Sequence, residues 1–347
     1  MPKKSKQTRT VAEAMKQVQR AAADRKRVRE KHEAEVAARV PGEGYEPCIV
    51  SFIDVLGFRD LLTTRHAHDI RDTLLQLREF TAPSELTGLR RIKDARLSSR
   101  AFVDSVSDAV VRVRVFETEY NDGAFFHELL DLLHAQVQCV AYGVVIRAGL
   151  TIGDAHVGLG GEGPVFGPAM VRAFEIETHE AIYPRVVIDE SAYQRFRSDP
   201  RLHKEDHDVE EEANYVDRLL RLDADGSRFI DYLSASESEF DDPPSYFMFL
   251  EQHAKLIREK LTTTRGRARK KFMWLADYHN MVITEILAKF EDGQRSAETF
   301  EAEWEADPMT FLRAIIVESH RSFLQLSLRF IKLNSYALWR RCKLLLK

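Results

Sequence analysis

The stretch "IVSFIDVLGF", residues 49–58, decides how this chain folds. It is an apolar run typical of a buried strand, and it carries one charged residue, Asp54, before it breaks at Gly57. An isolated carboxylate is costly to bury unless a cation or hydrogen-bond donors compensate its charge. Asp54 therefore either faces solvent at a strand end or helps to hold a cation. The choice depends on whether a second carboxylate reaches the same place.

The segment "FVDSVSDAVVRV", residues 102–113, supplies a candidate for that second carboxylate. Its alternation predicts a β-hairpin, with Asp108 at the tight turn and Asp104 four residues earlier. If the hairpin lies beside the first strand, Asp54 and Asp108 converge at one end of the sheet. Two carboxylates and the carbonyl of Val55 make a hard oxygen site for Mg²⁺ or Mn²⁺. Each aspartate alone has a plainer explanation, because Asp often caps turns.

The composition excludes several classes of protein. The chain has 347 residues, of which 44% are hydrophobic and 31% charged, as in soluble globular proteins. Its three cysteines lie far apart without CxxC spacing, which argues against a disulfide framework or a zinc knuckle and is typical of the reducing cytoplasm. We expect no signal peptide, no membrane span and, at a net charge of −4, no nucleic-acid partner.

Hydrophobic periodicity divides the chain into three regions. Residues 1–44 are predicted to form a basic helical arm, because residues 1–40 carry a net charge of +7. Residues 45–235 interleave strands, helices and hairpins, which predicts an α+β ferredoxin-type sandwich, with helices on one face of a mostly antiparallel sheet. Within it we expect a single helix at residues 58–81, a strand pair at residues 144–158 and a mobile acidic insert at 205–212. Residues 236–347 are predicted to be entirely helical.

Four pieces of the middle region, in this order, resemble the catalytic domain of class III nucleotidyl cyclases. "FIDVLGF" and "VSDAVV" are similar to the two metal-binding segments, "IRAGLTIGDAHVG" to the strands lining the cleft, and "VFGPAMVRAFEIE" to the segment closing it. The resemblance implies metal ligation by Asp54, Val55 and Asp108, with two Mn²⁺ or Mg²⁺ ions per site. It also implies a homodimer with active sites at the interface. The reaction implied is attack of a ribose 3′-hydroxyl on the α-phosphate, releasing pyrophosphate.

The chain departs from the purine cyclases where those enzymes read the base. Adenylate cyclases place Lys and Asp or Thr at the two reading positions, and guanylate cyclases place Glu and Cys. Here the two positions hold Asp104 and Pro164, which speaks against an ordinary adenylate or guanylate cyclase. On the closing helix, Val171 and Glu175 stand where the family has Asn and Arg. Either the domain is a silent nucleotide-binding regulatory module, or it belongs to a variant family that moves the arginine elsewhere.

The variant hypothesis is favoured by further similarity. "FGPAMVRAFEIE", "YPRVVID", "FIDYL" and "RKKFMWLADYHN" resemble the pyrimidine cyclases of bacterial Pycsar anti-phage systems. This resemblance implies a cytoplasmic enzyme that converts UTP to 3′,5′-cyclic UMP and pyrophosphate, as a second messenger in anti-phage defence. Conversion of CTP to cyclic CMP remains an alternative, because an ionised Asp104 accepts a hydrogen bond from either base.

Strand parity supplies candidates for the missing cation and the base pocket. Arg100 has the parity of Asp104 and is predicted to point into the cleft, as a catalytic and substrate-binding residue. Phe52 shares the face of Asp54 and is predicted to narrow the base pocket to pyrimidine size. Phe52 fits a sheet core equally well, and Arg100 a solvated strand arginine. Three further arginines are alternative cations: Arg147, Arg172 and Arg185.

Overall fold

The computed structural model describes residues 44–81, 99–106, 109–118, 120–157, 164–295 and 307–318. Residues 1–43 of the predicted N-terminal arm, Asp108, and residues 296–306 and 319–347 of the predicted C-terminal helical region lie outside these ranges. The chain divides into two compact units between Ala235 and Ser236. Each unit is described by itself.

Within the described part of the first unit, seven strands form one sheet in the order β2-β3-β1-β4-β5-β7-β6. The strands are β1 (Glu46–Val55), β2 (Arg100–Val106), β3 (Ala109–Val115), β4 (Ile146–Ala155), β5 (Val186–Ile188), β6 (Leu220–Leu222) and β7 (Arg228–Ile230). The helices of this unit are α1 (Phe58–Thr64), α2 (Ala67–Thr81), α3 (Ala124–Ala141), α4 (Pro168–His179), α5 (Glu190–Ser198), α6 (Val209–Leu219) and α7 (Tyr232–Ala235).

The first four strands have ferredoxin-like topology. The chain runs from β1 through two helices to the hairpin β2–β3, then through α3 to β4, and every neighbouring pair in the order β2-β3-β1-β4 is antiparallel. A crossover through α4 then adds β5 parallel to β4. The predicted α+β sandwich is confirmed. The prediction that helices cover one face is wrong, because α3 and α4 pack on opposite faces.

The α4 face of the sheet is apolar. Alternate residues of β1 and β3 point toward α4, whose Ala169 and Ala173 pack against them. The buried members of this core are Cys48, Val50, Val111, Val113, Val115, Ala155, Val157, Val165, Ala169 and Ala173. Because this face is dry, any charged group at its end needs a partner within the protein.

The opposite face buries an ion network that joins β3 to α3. Arg112 and Arg114 are each 1% exposed, although their alternation with valines predicts a polar strand face. Their Nε atoms donate to the two oxygens of Glu128, at 2.9 and 2.8 Å, and both guanidinium groups also contact Asp131. A hydrogen bond from Arg112 to the carbonyl of Thr81 ties in the end of α2. The network neutralises charges that the helices remove from water.

Three local predictions are corrected. Residues 146–155 form one strand rather than a pair, because Gly149 and Gly153 admit the close approach of α4 instead of making a turn. The acidic stretch 205–212 contains the start of α6, where Asp208 accepts a hydrogen bond from the backbone N–H of Glu211. Acidic side chains in a first turn are favoured by the helix dipole. The single helix expected after Gly57 is two helices, α1 and α2.

The second unit is helical where it is described. Its helices are α8 (Pro243–Thr263), α9 (Gly266–Glu291) and α10 (Pro308–Ile315). The chain after α10 is fixed to α9, because Asn280 donates to the carbonyl of Val317 at 2.7 Å and accepts from its N–H at 2.8 Å. Among the described helices of the whole chain, none has the length and hydrophobicity that crossing a membrane requires.

Candidate metal and nucleotide site

Asp54 lies near the end of β1, on the face covered by α4. Its cross-strand neighbours are Ala109 on β3 and Arg147 on β4. The side chain of Asp54 is 18% exposed, so its charge is largely withdrawn from water. Ala109 directly follows Asp108 in the chain. The register therefore brings the start of β3 to Asp54, as the hairpin pattern predicts.

Arg147 bridges two carboxylates at this point. Its Nε and Nη2 lie 3.0 and 2.9 Å from Oδ2 of Asp54, and Nη2 lies 2.5 Å from Oε1 of Glu177 on α4. Nη1 also donates to the backbone carbonyl of Glu177 at 3.3 Å. The side chain of Glu177 is only 4% exposed, and its Oε2 accepts a hydrogen bond from Thr178. The charge of Asp54 is thus compensated by a cation that α4 holds from the other side.

Glu177 was not found from the sequence, although a signal was present. It lies on the helix face that also carries Ala169, Ala173 and Ile176, all buried. This helical spacing predicts a core-facing stripe, and one carboxylate within such a stripe requires a buried partner. The helix comes close because β4 has Gly149 beneath it. A Cβ at that position would lie 2.4 Å from the carbonyl oxygen of Ala173.

The donor groups at the end of β1 suit a hard divalent cation. Leu56 donates to the carbonyl of Val145, the residue just before β4, so the alternation of an antiparallel ladder directs the carbonyl of Val55 toward β3. Asp54 and Val55 thus offer a carboxylate and a carbonyl oxygen beside Ala109, the first residue of β3. In the described ranges, no group of three or more His, Cys, Asp or Glu side chains forms a metal site.

The predicted base-pocket residues share one row of the sheet. Phe52 and Asp104 are both cross-strand partners of Val111, from opposite sides, so all three point toward α4. Phe52 meets Phe174 of α4 edge to face, with ring centroids 5.2 Å apart. Phe174 is 47% exposed and was not picked out from the sequence. An accessible aromatic side chain therefore stands beside Phe52, two residues along β1 from Asp54.

The structure does not bring Arg100 to Asp54 within one chain. Arg100 pairs with Val115, which pairs with Cys48, six residues along β1 from Asp54. Six residues of strand span about 20 Å.

The remaining arginine candidates have other partners. Arg172 binds Asp189 and Glu180, and Arg185 is buried against Asp223 and Asp225. Hydrogen bonding to Asp189 raises the pKa of Arg172. Of the arginines considered, Arg147 is the one whose contact with Asp54 is seen.

Three further positions are exposed on the same side of the molecule. Val171 and Glu175 lie one turn apart on the outer surface of α4, and Pro164 lies just before Val165 and the start of α4. None of them reaches the Asp54 carboxylate in the described contacts.

Comparisons with known proteins give only weak likenesses. No protein-family model matches the sequence, and no curated protein matches it significantly. Among solved structures, the guanylyl cyclase domain of the RhoGC fusion protein from the aquatic fungus Blastocladiella emersonii is 20% identical, with a TM-score of 0.32, over 46% of this chain and 90% of that one. A bacterial light-regulated adenylyl cyclase is 13% identical, with a TM-score of 0.33, over 45% of this chain and 81% of that one. TM-scores this low do not support an assignment of the fold, which rests on the strand order described above.

Proposed function

We propose that this chain is a nucleotidyl cyclase that converts UTP to 3′,5′-cyclic UMP and pyrophosphate. The observation that carries the proposal is the register of β1 and β3. It sets Asp54 opposite Ala109, the residue that follows Asp108 in the chain, and this supports the proposal that the two aspartates act together. Two carboxylates with one backbone carbonyl form the donor set that a hard divalent cation requires.

Asp54, Val55 and Asp108 would hold the Mn²⁺ or Mg²⁺ ions, two per site. Such ions, when bound, lower the pKa of an attacking hydroxyl and stabilise charge on a transferring phosphoryl group. Arg147 supplies a guanidinium next to Asp54, at the place where phosphate oxygens would meet the carboxylates. We therefore prefer Arg147 to Arg100 as the residue that replaces the family's arginine, whose position on α4 is taken by Glu175.

The pyrimidine preference is supported by the row that contains Phe52 and Asp104. Phe52 stands between Asp54 and the core and packs against Phe174, which leaves less room for a base than a small side chain would. Asp104, on the same face, accepts hydrogen bonds from the N3–H of uracil or the amino group of cytosine. UTP is favoured, and CTP giving cyclic CMP is the alternative.

A silent nucleotide-binding module is the second candidate, and one observation favours it. The Asp54 carboxylate is already compensated by Arg147, and the outer surface of α4 carries Val171 and Glu175 instead of the family's Asn and Arg. Such a module would bind nucleotide without releasing pyrophosphate.

The test is incubation of purified protein with ATP, GTP, CTP or UTP and Mn²⁺, with products resolved by mass. Cyclic UMP alone is the expected result, and it should be lost in Asp54→Asn. The matched control is Asp69→Asn, an exposed aspartate in the first turn of α2, which should not change turnover. A cyclic purine as the main product would contradict the pyrimidine preference. Absence of any product would favour the silent module.

The cellular role and assembly are proposed on the same basis. We propose a homodimer with active sites at its interface, and cytoplasmic synthesis of the cyclic nucleotide as a signal in anti-phage defence. Sedimentation equilibrium tests the first, with a monomer at all concentrations as the contrary result. Phage challenge of bacteria expressing the wild-type chain or Asp54→Asn tests the second, and equal sensitivity of the two strains would contradict it.

A further inference from the structure

Glu177 is a buried carboxylate on α4, where the helix lies close to Gly149 of β4, and the proposed reaction has no direct use for it. Its side chain is 4% exposed, and it lies across Arg147 from Asp54. Nη2 of Arg147 is shared, at 2.9 Å from Asp54 and 2.5 Å from Glu177. Two carboxylates therefore compete for one guanidinium at the point where the proposed cation would bind.

We propose that Glu177 is a positioning residue that sets how strongly Asp54 binds a divalent cation, by holding Arg147 when the cation takes the carboxylate. This inference rests on the proposed function, because it requires Asp54 to be a metal ligand.

A cation bound to Asp54 must share the carboxylate with Arg147 or displace it. The side chain of Arg147 is only 20% exposed, so a displaced guanidinium needs another counter-charge. Glu177 already supplies one at 2.5 Å, together with its backbone carbonyl at 3.3 Å. Asp54, Arg147 and Glu177 together carry a net charge of −1, whereas Asp54 and Arg147 alone are neutral. Without Glu177 the proposed ligand Asp108 would be left to supply the net attraction for a cation, which would be weaker by one charge.

The position of α4 fixes this geometry. Gly149 lies directly beneath the helix, and a Cβ there would be 2.7 Å from the backbone N of Glu177. The helix therefore cannot slide along β4 without changing the distance from Glu177 to Arg147. Glu177 reaches the metal ligand only through Arg147, which is why its role is positioning rather than catalysis.

The experiment measures Mn²⁺ binding directly, from the electron paramagnetic resonance signal of free Mn²⁺, with the full chain and no nucleotide. Glu177→Gln keeps the shape of the side chain and should weaken binding about tenfold, as is usual when a group supporting a metal ligand is lost. Glu177→Asp keeps the charge and should bind more tightly than Glu177→Gln. The double variant Arg147→Met with Glu177→Gln should recover the lost affinity, because no guanidinium then competes for Asp54.

Glu175→Gln is the matched control, since Glu175 lies on the exposed side of the same helix with its side chain 52% exposed. It should bind Mn²⁺ as the wild type does. Circular dichroism of every variant shows that the fold is retained, and Glu177→Asp carries the comparison if Glu177→Gln does not fold. If folded Glu177→Gln binds Mn²⁺ with wild-type affinity, or if the double variant binds more weakly than Glu177→Gln, the role of Glu177 is overturned and the proposed function is not. Wild-type binding that Asp54→Asn leaves unchanged overturns the metal site, and with it both proposals.

Discussion

The α-carbon of Gly149 lies so close beneath α4 that a Cβ built on it would be 2.4 Å from the carbonyl oxygen of Ala173. No side chain fits into that gap, so β4 and α4 are in backbone contact at this point. The contact holds Glu177 over Arg147, so the geometry of the candidate site depends on having glycine at position 149.

Gly149→Ala should therefore destabilise the first unit by about 1–3 kcal/mol, the usual cost of overpacking a core. Gly153→Ala is the matched control, because its Cβ would lie 3.1 Å from the Cβ of Ala169, where a small shift suffices. Urea unfolding followed by circular dichroism gives both values. Equal stability of the two variants would contradict the close contact.

The buried ion network makes a second prediction. Glu128→Gln removes one negative charge but leaves Arg112 and Arg114 buried, so the variant should lose about 3–5 kcal/mol of unfolding free energy. Arg71→Met removes an arginine from an ion pair whose members are 67% and 53% exposed, and should cost less than about 1 kcal/mol. Thermal and urea unfolding compare the two. A loss in Glu128→Gln as small as in Arg71→Met would show that the network does not hold these charges.

A pair of buried histidines predicts how the second unit responds to acid. Nδ1 of His253 lies 3.0 Å from Nδ1 of His279, and Nε2 of His279 lies 3.1 Å from the carbonyl oxygen of Ile315. A carbonyl accepts, so Nε2 of His279 carries the proton and its Nδ1 accepts from Nδ1–H of His253. Burial lowers the pKa of both rings, so both are neutral in the folded state at pH 7.

Burial is the main cause that lowers the pKa of His279 from 6.5 to about 4, and burial also lowers the pKa of His253. Between pH 6.5 and about 4 the unfolded chain binds more protons at these histidines than the folded chain does. Their contribution to the free energy of unfolding is therefore constant above about pH 6.5 and falls as the pH drops toward 4. His279 alone should contribute about 3 kcal/mol to this loss.

The measurement is urea unfolding of the second unit's signal at several pH values between 7 and 4. His279→Gln still offers an N–H to Ile315 and an oxygen to His253, and it should flatten the slope by about 1.4 kcal/mol per pH unit. Conversely, a slope unchanged in His279→Gln would show that other groups control the acid response.

The base pocket gives a prediction that depends on the proposed function. Phe52→Ala should raise the ratio of turnover with ATP to turnover with UTP, because the smaller side chain leaves room for a purine base beside Asp54. Phe102→Ala is the control. Phe102 lies on the same face of the sheet as Phe52, but in the row of Val50, which is two residues farther from Asp54 along β1. Values of kcat/KM for the four nucleotides provide the readout. An unchanged ratio in Phe52→Ala would place base selection elsewhere.

Much of the fold follows from local sequence pattern. The apolar run ending at Asp54, the hairpin of residues 100–115 and the helix of residues 168–179 are recognisable because neighbouring residues alone set their periodicity. The same patterns mislead where a residue's role comes from a distant partner. Gly149 resembles a turn residue until α4 is packed on it, and Arg112 resembles a surface residue until Glu128 is placed above it.

The sequence by itself determined the alternation of strands and helices in the mixed region and the position of Asp54 near the end of a buried strand. Only the tertiary structure decided what compensates that aspartate. Arg147 lies 93 residues from Asp54 in the chain, and Glu177 lies 30 residues farther on. Their meeting depends on the register of β1 with β4 and on how deeply α4 packs. Both are set by long-range contacts, which local periodicity does not encode.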